Sequence, residues 1–222
     1  MATTCQSVVD QAIEILQDSG NDHWSDAELF AWLKYGQKAI VRLKPTANPV
    51  LGDITLASGL WQDLNSGAIF LLDVIMNSGT DGSTPGAPVT IVERKWIDRM
   101  LPDWTTETAA ATIKHVIYDP KVNPKKFMVY PKSDGTTRIE VMEAHLPTDP
   151  AAIGNNITLD DEYVEALLEY ILFRAFTRDA DYVKNQERAM FHYMNFKEIV
   201  VGHDDKEDET NPKKRYEGRE RG

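Results

Sequence analysis

The chain has 222 residues, 42% of them hydrophobic, and a formal net charge of −11 at pH 7. That is enough apolar material for a substantial core, as one domain or as a body with an inserted module. The acid surplus argues against a surface that grips nucleic-acid phosphates, and no apolar run reaches the roughly 18 residues of a transmembrane helix.

The N-terminus, MATTCQSVVDQAIEIL, has neither the basic region nor the cleavage site of a secretory signal. A single cysteine, Cys5, excludes an internal disulfide framework, so folding in a cytosol is expected. Val8, Val9, Ala12, Ile13 and Leu16 form the apolar face of a first helix from about Thr4 to Asp18, stopped by Ser19-Gly20-Asn21-Asp22. A second helix should start at Ser25, with Glu28 closing a capping box and Trp24 and Leu29 forming a hydrophobic staple. It runs through Trp32, Leu33, Gly36, Ile40 and Leu43 until Pro45 ends it. Gly36 on its apolar face implies close helix packing.

Between Pro49 and Pro150 the periodicity changes to short runs rich in Val, Ile, Leu and Tyr, broken by Gly and Pro. Strands are expected near Asp53–Leu56, Ala68–Asn77, Val89–Val92, Ile113–Tyr118, Lys126–Tyr130 and Arg138–Ala144. Ser78–Ser83 reads as a turn, and Lys132–Thr136 as a hairpin loop centred on Asp-Gly. Glu93–Leu101 should form a short helix before Pro102.

From Leu159 to Val201 the pattern is helical again. Tyr163, Ala166, Leu167, Tyr170 and Ile171 form one apolar stripe, with Val164, Leu168, Leu172 and Ala175 beside it, so this helix should be central. Asp160, Asp161 and Glu162 crowd its start, where the helix dipole favours carboxylates. The pattern weakens at Thr177-Arg178-Asp179 and resumes with Tyr182, Gln186, Ala189, Met190, Tyr193 and Phe196: two helices, or one bent near Asp179. The fold expected is α+β. Two N-terminal helices and a long C-terminal helical hairpin make a body (residues 1–48 and 151–201) that carries an inserted β-rich module (49–150).

Residues 202–222 should form a disordered or extended tail, since Tyr216 is its only large apolar group. Residues 210–222 hold five basic side chains against two acids, leaving −14 on residues 1–209.

The residues give no active site. His23, His115, His145, His192 and His203 lack ligand spacing, and there is no GxSxG, P-loop or GxGxxG. The acids at 160–162 read as helix-start charges, Asp204-Asp205 falls in the tail, and neither set has the alternation of a calcium loop. Trp61 and Asp103-Trp104 read as loop anchors in preference to a ligand-stacking surface. No catalytic residue, cofactor or metal is expected.

Across Ile13–Phe196 a set of residues in order and spacing resembles the head–tail adaptor (connector) proteins of tailed bacteriophages, in particular those of short-tailed phages. The set opens with Trp32-Leu33, Ile40, Lys44-Pro45, Leu56, Gly59, Gln62, Leu64, Leu71, Val74 and Asn77-Ser78-Gly79. It continues with Arg94, Pro102-Asp103-Trp104, Tyr118-Asp119-Pro120 and Phe127-Met128-Val129-Tyr130-Pro131. It closes with Tyr163, Leu167, Tyr170, Arg174-Ala175-Phe176, Asp179-Ala180, Asn185, Arg188-Ala189 and Phe196. Leu60-Trp61 departs from the pattern, which has a small polar residue and an arginine there.

The resemblance implies a structural virion protein at the head–tail interface, made in the host's cytoplasm. It would form a homo-oligomeric ring of about twelve copies under the portal protein. That ring would close the filled head and meet a tail or nozzle protein, with DNA only a passenger through an acidic channel and no membrane contact. Lys213, Lys214, Arg215, Tyr216, Arg219 and Arg221 would be the portal-docking residues of the C-terminal tail, since Arg and aromatic side chains favour binding. Two alternatives are a tail completion protein that does not touch the portal and a hydrolase using paired carboxylates.

Overall fold

The computed structural model describes residues 2–179 and 183–210. Its elements run α1 (Cys5–Leu16), α2 (Asp26–Leu43), β1 (Pro49–Thr55), β2 (Gly59–Asp63), β3 (Ala68–Gly79), β4 (Thr90–Ile91), α3 (Arg94–Met100), β5 (His115–Ile117), β6 (Lys126–Ser133), β7 (Arg138–His145), α4 (Val164–Arg178) and α5 (Val183–Thr210). The chain is α+β and divides into two compact units. One joins the residues up to Ala47 to those from Pro147 onward, and the other is Asn48–Leu146.

In the helical unit the apolar stripe of α4 decides the packing. Ala166, Leu167, Ile171, Leu172 and Ala175 are buried, and α4 packs against α1, α2 and α5. Gly36 of α2 allows the approach: a Cβ there would lie 3.1 Å from the Tyr170 ring and 3.2 Å from Leu167. Aromatic rings join α4 to α5, with Tyr170 edge-on to Phe196 at 5.2 Å and Phe173 4.9 Å from Tyr193. The chain makes two helices, with α4 ending at Arg178.

Helix starts are handled differently from expectation. The Thr4 hydroxyl caps α1 by accepting from Ser7 N–H at 3.2 Å, but the Ser25 hydroxyl makes no capping bond to α2. Glu28, expected to close the box, pairs with Arg178, whose guanidinium adds the attraction of a full opposite charge that a backbone amide lacks. The staple residues Trp24 and Leu29 are both buried. The approach to α2 is fixed by Asp18, whose carboxylate accepts from the N–H groups of Trp24, His23 and Asp22 at 2.8–3.1 Å.

The second unit is a sandwich. β1-β7-β3 form a three-stranded antiparallel sheet, and β2-β6-β5-β4 a four-stranded one in which only β4 and β5 run parallel. One core joins them, with Ile54, Leu71, Val74, Ile139 and Val141 from the first sheet and Val116, Phe127 and Val129 from the second. β6 and β7 lie in different sheets, so the expected hairpin at Lys132–Thr136 is a crossover. Residues of the two strands face opposite layers of one core, which a two-strand ribbon cannot achieve. Gly135, at φ 88°, allows it to pass Ser58, whose backbone N would lie 3.3 Å from a Cβ there.

β2 was not expected. Its sequence Gly-Leu-Trp-Gln-Asp has no apolar alternation, because a bulge between Gly59 and Trp61 shifts the register. Buried Gln62 locks the preceding turn: its Oε1 accepts from Ala57 N at 2.7 Å and its Nε2 donates to Ala57 O at 2.8 Å.

Candidate functional site

Three buried polar side chains are committed to structure. Gln37 Oε1 accepts from Thr158 N, Thr158 Oγ1 and Leu159 N at 2.7–3.2 Å, which binds the segment before α4 onto α2. Asn77 Oδ1 accepts from Ile113 N while its Nδ2 donates to Ile113 O and Ala87 O, all at 2.8 Å. Glu143 is a carboxylate with 1% exposure, satisfied by Asn65 N and Nδ2 at 2.9 Å, with His145 Nε2 at 3.3 Å. Sequence reading missed all three, since their polar side chains sit among apolar neighbours without periodicity; only the Asn-Ser-Gly at 77–79 gave a turn signal.

Histidines are similarly engaged. His192 Nδ1 is 2.8 Å from Glu169 Oε2, and its ring stacks on Phe176 at 5.4 Å. His115 Nδ1 meets Thr90 Oγ1 at 2.7 Å, with burial and then the nearby Lys114 charge lowering its pKa. Among the described residues no three His, Cys, Asp or Glu side chains are grouped to hold a metal ion. Nor is any helix among them long and apolar enough to cross a membrane.

Asp161, expected to serve the helix dipole, accepts from Thr3 N at 2.9 Å, and that bond lowers its pKa. It precedes α4 in a 3-10 turn and tethers the N-terminal segment. Trp104 is the loop anchor expected, 3% exposed and donating from Nε1 to Asp98 at 2.8 Å. Trp61 is not, being 55% exposed.

The first part of the expected tail is helical, because α5 continues through Gly202 to Thr210. The polar run HDDKEDET continues the hydrogen-bonded ladder of a helix already formed, and adding a residue to an existing helix is easier than nucleating one. Lys213, Lys214, Arg215, Tyr216, Arg219 and Arg221 lie outside the described residues. The face of α5 also differs from expectation. Ala189 and Phe196 are buried, but Met190, assigned to the core stripe, is 61% exposed, as are Phe191 and Met194. These three large apolar side chains lie exposed within two turns of one helix.

No curated protein matches the chain. Residues 3–215 match the family described as SU10 adaptor protein, in agreement with the resemblance to phage head–tail adaptors. A match over nearly its whole length means that this chain belongs to the SU10 adaptor protein family.

Proposed function

We propose that this protein is the head-to-tail adaptor of a tailed phage. About twelve copies form a ring below the portal, close the DNA-filled capsid and connect it to the tail. Family membership over residues 3–215 is the observation that carries this reading.

Ring closure needs a heterologous, head-to-tail contact between neighbouring subunits. Met190, Phe191 and Met194 on α5 suit one side of such a contact, because exposed apolar clusters mark protein interfaces. Beyond α5, Lys213, Lys214, Arg215, Tyr216, Arg219 and Arg221 serve as docking residues for the portal. The acidic bulk of the chain lets DNA slide past without being held.

Particles assembled without this protein test the role. They should have packaged heads that lack tails and lose their genome, and adding the purified protein should restore tail attachment. Tailed, DNA-retaining particles in its absence would overturn the reading. Tailless heads that hold their DNA would favour a tail completion protein.

A further inference from the structure

In β2, Trp61 pairs with Met128, which pairs with Ile117 of β5. The three stand in a row across the four-stranded sheet, on the face opposite the sandwich core. Ile97 and Trp104 cover the neighbouring part of this face around Tyr130. Beyond that cover lies an open pocket of about 200 Å³, with Ile117 and Met128 as floor and Trp61 and Val122 as walls. Trp61 is 55% and Val122 78% exposed.

The Val122 wall is held by local hydrogen bonds. Asp119 Oδ1 accepts from Lys121 N and Asn123 Oδ1 from Lys125 N, both at 3.0 Å, and the Tyr118 hydroxyl donates to Pro124 O at 2.8 Å. A preformed apolar pocket loses little entropy on binding. It is smaller than the roughly 300 Å³ at which small-molecule sites begin, so its natural occupant is one large side chain.

Charge indicates what carries that side chain. A more open groove shares Arg94, Ile117 and Asp119 with the pocket and adds Glu93, Lys95 and Lys121. Residues 93–99 and 119–126, with Asp63, hold six cations against four acids. The surplus is positive on a chain of charge −11, even counting the Lys126–Asp63 pair at 2.8 Å and the Arg94–Asp98 pair at 3.5 Å. Four interspersed acids would oppose a polyphosphate but leave room for a few carboxylates.

We propose that this pocket and groove bind an extended acidic segment of a partner protein, seating one large apolar side chain between Trp61 and Val122. Its carboxylates lie along Lys95 and Lys121. The apolar anchor supplies affinity and the charged rim supplies orientation and speed of encounter.

The test uses the full-length protein against short overlapping peptides covering the other virion proteins of the same virus and this chain itself. That probe set rests on the family membership and not on ring formation. Binding should concentrate on foreign peptides in which acids flank a large apolar residue, and should weaken with salt. Trp61→Ala and Val122→Glu should each reduce it about tenfold or more. Both positions are exposed, so circular dichroism should show unchanged folding.

The proposal is overturned if no peptide distinguishes the wild type from both variants. It is also overturned if the discriminating peptides come from this chain, which makes the pocket a contact between copies. Oligothymidylate bound in preference to any peptide, and lost in Trp61→Ala, would assign the surface to nucleic acid and overturn it too.

Discussion

At the scale of single residues, stability rests on side chains that satisfy backbone groups. Replacing Asn77 by Ala leaves Ile113 N–H and Ile113 C=O without their partner, while Ala87 C=O keeps the bond from the residue 77 backbone N–H at 2.9 Å. At about 1–3 kcal/mol for each buried orphan group, the loss should exceed about 2 kcal/mol in denaturant unfolding. Ser25→Ala should cost well under the roughly 1 kcal/mol of a working cap, because its hydroxyl makes no capping bond. Asp18 has the larger role, and its effect depends on pH. Its backbone bonds, Trp24 first, lower its folded pKa below the ordinary 3.8. The stabilisation is therefore present above that value and lost as pH falls through the folded one. Asp18→Asn should lower the urea midpoint at pH 7, with the gap to wild type narrowing below about pH 4. Asp18 and Gln37 were illegible in the sequence, since a polar side chain's backbone partners are set by where the chain returns. Gly36 was legible, because a glycine on an apolar helical face gives up side-chain burial and so marks a close approach of another helix.

At the scale of elements, helix α2 can lie close to α4 only where Gly36 meets Tyr170 and Leu167. Gly36→Val should overpack that crossing and cost about 1–3 kcal/mol in thermal or urea unfolding. Phe196, 1% exposed and packed on Tyr170, should cost about 3–5 kcal/mol as Ala. The five helices were readable because their apolar spacing is long and regular. Most strands were readable from their β-branched runs, but β2 was not. A bulged edge strand carrying a buried glutamine and an exposed tryptophan breaks the alternation on which strand reading depends. The Asp-Gly at 134–135 marked a turn correctly, yet a turn signal does not say whether the flanking strands pair or enter different sheets. The end of α5 was misplaced for a related reason: composition registers a polar run, while a helix already in place extends into it. Met190→Glu with Met194→Glu should leave folding intact, since both are solvent-exposed. If α5 forms the contact between subunits, that variant should remain a monomer at concentrations where the wild type assembles, as sedimentation would reveal.

At the scale of the molecule, an acidic α+β chain belongs to a family of adaptors. The functional residues proposed for it are surfaces: an apolar patch on α5, a basic segment after it, and the pocket beside Trp61. Surfaces of this kind have no short sequence motif, which is why the order and spacing of many weak matches carried more than any single residue. The most direct measurement is the mass of complexes formed with the portal ring of the same virus. Full-length protein would be compared with a chain ending at Thr210. An adaptor adds about one copy per portal subunit, and the shortened chain should fail to bind if residues 211–222 dock on the portal. Binding by both would move the portal contact to the folded units. Binding by neither would contradict the adaptor assignment at the portal and put the protein further down the tail.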